Sequence, residues 1–299
     1  MVLLNIGNKI SFLNKNDCKY FFSDVIEKNA NMMNLVELEV RSGINNANVN
    51  DYYNKVINSF RNFTDNEIYF LKKAVNKASD LLKDFKQLQQ LEWKLAILDG
   101  DTDWGYPYTL NDAIILRPIN LKNDTSYTLI KTLIHEITHV FQRMNIGNVE
   151  GLYNKWNFYR MQNIVGYDNI KYIQGIPSIL INKGVLNPDG VDMWGYKMNK
   201  NTFFISTIIV KDGNIFPIGM KILLKDNRLH FIKMDAMRNI QWYNNMLDGV
   251  EQKYHPNEIM ACIVSSIAMK ENLYKSNLNY DSTYRNVLYN SLIEWGDIY

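Results

Sequence analysis

The tightest constraint in this chain is the run Leu133-Ile134-His135-Glu136-Ile137-Thr138-His139-Val140. Two imidazoles four residues apart lie on one face of an α-helix, one turn above the other, a spacing that suits a single metal ion. His-Glu-x-x-His is also a pattern with a mechanism: the two His side chains bind Zn²⁺ and the Glu acts as general base toward the attacking water. The surrounding residues predict the helix. Asp124-Thr125-Ser126 supplies N-cap side chains, and Ile130, Leu133, Ile134, Ile137, Val140, Phe141 and Met144 recur at helical spacing until Gly147. His135 and His139 sit beside that apolar stripe with Lys131, Thr132 and Gln142, so one side of the helix meets the core and the other a cleft. The competing reading is two surface histidines on an ordinary amphipathic helix.

Two His leave a catalytic zinc site short of a third protein ligand, with the fourth position kept open. The best candidate lies in Tyr254-His255-Pro256-Asn257-Glu258-Ile259-Met260-Ala261-Cys262, where Pro256 suits the first position of a helix and Glu258 falls in its first turn. Together the two stretches resemble the gluzincin group of zincin metallopeptidases, in which a Glu within Asn-Glu-x-x-(Ala/Ser)-Asp on a later helix completes the site. Asn257, Glu258 and Ala261 match. Cys262 stands where the group has an Asp bonded to a zinc-binding His, so the resemblance leaves His135 to find its partner elsewhere. Glu258 also follows His139 by 119 residues, where a few tens are usual in the group. Competing ligands are Glu150 and Glu251, and Glu258 itself suits an N3 helix cap. His255 is a candidate donor to the oxyanion of the tetrahedral intermediate, with Tyr254 and Tyr196 as alternatives; it suits equally a helix-cap position with no chemistry.

Around these motifs the sequence reads as α+β: a helix-rich zincin-like fold with a small antiparallel β-meander between the zinc-binding helix and the third-ligand helix. Residues 1–90 form a helical N-terminal region, with a short strand pair first. Helices start near Asp17, near Asn50 or Asp51, and at the capping box Thr64-Asp65-Asn66-Glu67. Residues 91–299 form the catalytic region. In it, 93–98 and 113–117 read as strands, with the aromatic stretch 103–109 between them. In zincins the strand before the zinc helix is the sheet edge that pairs with an extended peptide, so residues 105–109 are candidates to line the substrate groove, or else an aromatic loop packed on its own domain. Residues 152–161 read as helical and Asn187-Pro188-Asp189-Gly190 as a turn. Three β-rich runs within about 202–235 make the meander, an insertion beside the cleft.

A formal charge of +2 provides no field that would select nucleic acid or an anionic membrane. No run approaches the ~20 apolar residues of a membrane span, and the first residues lack the basic start of a signal peptide. Two cysteines make no disulfide framework, so the expected setting is cytoplasmic or another reducing compartment. The wealth of Asn, Lys, Ile and Tyr suggests an AT-rich genome, that of a large DNA virus, a protist or a low-GC bacterium, and for a virus the host-cell cytoplasm is the setting. The resemblance implies a zinc-dependent metallopeptidase, an endopeptidase holding one Zn²⁺ per chain through His135, His139 and Glu258. Glu136 and His255 would be its catalytic groups and a protein or peptide its substrate. The alternative is a non-enzymatic interaction protein on the same scaffold.

Overall fold

The computed structural model describes residues 9–121, 127–166, 169–185, 189 and 192–271, with 287, 288, 290–292, 294 and 295. Strand β1 (Ile10–Phe12) leads into α1 (Lys15–Met32), followed by α2 (Leu35–Ser42) and α3 (Val49–Ser59). Each helix begins on an asparagine: Asn14, Asn34 and Asn48 accept hydrogen bonds from first-turn amides, and Asp17 and Asp51 return bonds to the cap amides at two of them. Asp17 and Asp51 are thus the N3 members of capping boxes, and the helices start two to three residues earlier than their acidic residues suggest. After β2 (Phe60–Arg61), α4 (Asp65–Leu81) opens on the expected Thr64–Glu67 box.

The short helix α5 (Lys86–Gln89) precedes β3 (Trp93–Leu98), β4 (Tyr108–Leu110) and β5 (Ala113–Leu116). These strands form a mixed sheet in the order β1-β3-β5-β4, in which β1, β3 and β5 run parallel and β4 is antiparallel at the edge. The expected N-terminal strand pair does not form among the described residues; β1 pairs with β3, and β2 lies antiparallel to β3. Alternation along β3 divides the core. Ala96 and Leu98 pack with Phe22, Ile26 and Val56 from α1 and α3, while Leu95 and Ile97 share the opposite core with Leu71 and Val75 of α4. Leu133, Ile137 and Val140 of α6 (Tyr127–Met144) belong to that second core. The N-terminal helices therefore share a core with the strands before the His-Glu-x-x-His helix.

Helix α6 ends at Met144, and Gly147 lies inside α7 (Ile146–Lys155) instead of stopping α6. The proposed cap residues 124–126 lie outside the described residues. The helix expected over 152–161 is cut short, because Asn157 takes a left-handed φ of 67° and turns the chain into β6 (Phe158–Arg160), before α8 (Met161–Val165). Then come α9 (Ser178–Lys183), β7 (Gly184–Val185), β8 (Trp194–Asn199), β9 (Thr202–Lys211), β10 (Asn214–Lys225) and β11 (Arg228–Ala236). Of the turn at 187–190 only Asp189 is described.

Strands β9 to β11 match the expected runs. Asp212-Gly213 and Asp226-Asn227 make two-residue turns with positive φ at both positions, as right-twisted hairpins require. The sheet is larger than a three-stranded meander, however: its order is β11-β10-β9-β8-β6, with β7 beside β9, and it is antiparallel throughout. After α10 (Gln241–Met246), the chain enters α11 (Pro256–Ala268), buried along nearly its whole length and packed against α6. Among the described residues, no helix is long and apolar enough to cross a membrane.

Candidate metal centre

Two buried helices bring the site together. On α6, Leu133, Ile134, Ile137 and Val140 fix the helix against the sheet, which leaves His135 and Glu136 lining a cavity of about 580 Å³ and His139 buried beside Glu258 of α11. On α11, Pro256 takes the first turn and His255 caps it, its Nδ1 accepting from the Asn257 amide. One turn into the helix, the Glu258 carboxylate points toward the two imidazoles. Its Oε2 lies 3.2 Å from His135 Nε2 and 3.4 Å from His139 Nε2, and the two imidazole nitrogens are 2.9 Å apart.

Three basic atoms this close, with Glu258 and His139 almost fully buried, need a cation or a proton among them. Four ligands set tetrahedrally around zinc at ~2.0–2.1 Å stand roughly 3.3–3.4 Å from one another, so the observed triangle is close to one face of such a site. These three residues could hold a metal ion, and they are the only such group among the described residues. Glu150 instead accepts from Asn163, and the exposed Glu251 pairs with Lys131 at 3.3 Å.

The electrostatics agree with the geometry. Burial opposes ionisation of Glu258, but the His139 charge and hydrogen bonds from both imidazoles hold its pKa well below the usual carboxylate range. Burial likewise opposes protonation of His135, while hydrogen bonds with Cys262 and Glu258 hold its pKa well above the ordinary value. His139 is oriented by Gln142, whose Oε1 accepts from Nδ1 at 2.8 Å and whose Nε2 donates to the Asn257 carbonyl at 2.9 Å. The bond at Nδ1 leaves the Nε2 lone pair directed at the centre.

Glu136 lines the same cavity but bonds to neither His. Burial first, and then the nearby charge of Asp189, raise its pKa to about 7, and its Oε2 is buried without a hydrogen-bond partner. The carboxyl is thus poised to gain or lose a proton near neutrality.

His255 is not brought to this cavity. Its Nε2–H donates to the Asp192 carbonyl at 3.0 Å and its Nδ1 caps α11, so both nitrogens are engaged, and the ring lines a smaller neighbouring cavity of about 220 Å³. Burial pushes its pKa down, consistent with a neutral structural imidazole. Tyr254 does line the main cavity, its hydroxyl donating to Gln252 Oε1 at 2.8 Å, whereas Tyr196 packs against Phe158 and Trp242.

The far wall comes from Trp104, Tyr106, Pro107 and Tyr108. Asp103 and Trp104 take left-handed φ of 53° and 56°, an unfavourable backbone held by buried polar bonds. Asp103 Oδ1 accepts from Arg41 Nη1 at 2.9 Å and from Tyr52 at 3.0 Å, and Arg117 Nη2 donates to the Thr102 carbonyl at 2.7 Å. Arg41 in turn pairs with Glu37 at 2.8 Å and lies 4.9 Å from the Trp104 ring. Tyr106, Pro107 and Tyr108 fall in the stretch that the sequence offered for the groove, and Gln142 stands one turn beyond His139, whereas nothing local marks Arg41, Tyr52 or Arg117. No protein-family model, curated protein or solved structure matches this chain.

Proposed function

We propose that this chain is a zinc-dependent metallopeptidase with a zincin-like fold, and that His135, His139 and Glu258 hold its zinc. The observation that carries the reading is the convergence of two Nε2 atoms and a carboxylate oxygen within 2.9 to 3.4 Å, beside a buried glutamate whose pKa is about 7. The order of elements supports the fold: an antiparallel edge strand β4, then β5, which precedes the His-bearing helix but lies inside the sheet and not at its edge as expected, then α6 and the later Glu-bearing helix α11. Zinc, when bound, polarises the scissile carbonyl and lowers the pKa of water to about 7.

The chain's own residues do the rest. Glu136 takes a proton from the attacking water as the hydroxide oxygen bonds the carbonyl carbon. It then gives that proton to the amine nitrogen as the C–N bond breaks. Gln142 fixes the His139 imidazole plane. Tyr254 is placed to exchange its bond to Gln252 for one to the carbonyl oxygen as that oxygen gains charge. The aromatic wall at 104–108, tied down by Arg41 and Arg117, offers a rigid apolar surface for a peptide side chain.

The test is to strip metal from the full chain, titrate zinc back, and follow cleavage of a fluorescence-quenched unfolded protein. Turnover should rise linearly to one zinc per chain and then stop rising. Full turnover in the stripped protein, or none at any zinc level, contradicts the reading.

A further inference from the structure

Strand addition to a sheet edge needs backbone N–H and C=O groups on the open side, and β4 has almost none to give. Its pairing with β5 sets Tyr108 against Ile115 and Leu110 against Ala113, closed by a turn at Asn111, so the Thr109 amide and carbonyl face outward. Side chains already occupy both. Asp189 Oδ1 accepts from the Thr109 amide at 2.9 Å and from its hydroxyl at 2.6 Å. Arg143 Nη2 donates to the Thr109 carbonyl at 3.2 Å and to the hydroxyl at 2.7 Å. Toward the other end, Pro107 has no N–H, the Tyr106 amide bonds the Asp103 carbonyl at 3.3 Å, and the Tyr106 carbonyl accepts from Arg117 at 3.4 Å.

Asp189 is itself held in place. Its carbonyl accepts from Asn257 Nδ2 at 2.8 Å, and Asn257 adjoins Glu258 at the start of α11. The residue that covers the edge strand is therefore tied to the helix that supplies the third metal-site ligand, and it lines the same cavity as Glu136.

Resting on the peptidase reading above, we propose that Asp189, braced by Arg143, is a specificity-determining residue. It closes the Thr109 end of the cleft, so the enzyme takes short peptides whose chain stops there, held by side chains rather than by a ladder along β4. A longer extended chain has to displace Asp189 to pair with Thr109.

The experiment compares a short and a long peptide with the same scissile sequence on wild type, Asp189→Ala and Asp189→Asn. Wild type should cleave the short peptide with the higher kcat/KM. In Asp189→Ala the ratio of long to short should rise about tenfold, mainly through KM, the scale of one recovered backbone hydrogen bond. Asp189→Asn keeps an acceptor oxygen and should keep the wild-type ratio. Thr109 amide exchange, read by hydrogen–deuterium exchange, should quicken in the Ala variant alone.

Binding separates this inference from the peptidase reading. With Glu136→Gln as background, adding Asp189→Ala should tighten the long peptide and not the short one, as measured by fluorescence anisotropy, even if no variant hydrolyses anything. Unchanged long-peptide affinity, an unchanged cleavage ratio, or a Thr109 amide equally protected in the Ala variant overturns the closure whatever the activity.

Discussion

Replacing Gln142 with Leu removes both bonds that this side chain makes and leaves its volume nearly unchanged. Gln142 is 1% exposed, accepts from His139 Nδ1 at 2.8 Å and donates to the Asn257 carbonyl at 2.9 Å. Losing the first bond frees the imidazole to rotate and lowers the basicity of its Nε2, a change that typically costs about 10–100-fold in metal affinity. Losing the second removes one of the two bonds to the Asn257 carbonyl, which keeps its helical bond within α11, and costs about 0.5–1.5 kcal/mol of stability and a Tm a few degrees lower. Gln142→Glu separates the two effects: a carboxylate still accepts from Nδ1–H but cannot donate to Asn257. That variant should hold zinc at least as tightly as wild type while showing much of the stability loss. Affinity is read by competition with a chromophoric chelator, and stability by melting the metal-free protein. Zinc affinity within twofold of wild type in Gln142→Leu, or equal loss in Leu and Glu variants, refutes the orienting role.

Glu258→Gln and Glu258→Ala should both fall well below one zinc per chain by mass spectrometry under native conditions, while Glu150→Ala and Glu251→Ala retain it; full occupancy in Glu258→Gln removes the carboxylate from the site. Tyr254→Phe should lower kcat roughly 10²-fold with zinc content and KM little changed, as loss of one oxyanion donor does; unaltered kcat excludes that role. Arg61 makes a two-pronged pair with Glu67, which with the helix cap lowers the Glu67 pKa from 4.5 to about 2. Because the folded-state value is the lower one, this stabilisation is fully present above pH 4.5 and disappears as pH falls toward 2. Glu67→Gln should therefore cost about 1–2 kcal/mol at neutral pH, after discounting for solvent screening, and nothing near pH 2. A pH-independent difference in denaturant melts contradicts the assignment.

What the sequence disclosed was what is written locally. Apolar spacing gave α6, the Thr64–Glu67 box gave the start of α4, and the Asp-Gly and Asp-Asn turns gave the long hairpins. Pro256 gave the first turn of α11, and with it the position of Glu258. The asparagine caps were missed because an acidic N3 residue, two or three positions on, is the more conspicuous signal. Contacts distant in sequence left no trace. Asp103 meets Arg41 across 62 residues and Thr109 meets Asp189 across 80, and no local pattern pairs them until the fold brings them together. His255 misled for a related reason: its nearness in sequence to Glu258 suggested chemistry, while the helix start and the Asp192 carbonyl use both of its nitrogens. Strand β1, only three residues long, gave no sign that it would pair with β3, more than 80 residues on.

Glu136→Gln decides whether a zinc centre in this chain uses Glu136 as its base. The amide keeps the shape of the side chain and none of the three metal-site atoms is touched. Zinc per chain and turnover of a quenched unfolded protein are measured on the same preparation beside wild type. Zinc content should be unchanged and hydrolysis lower by ~10²–10⁴-fold or more, the usual cost of losing a general base. Undiminished hydrolysis at equal zinc would contradict the account.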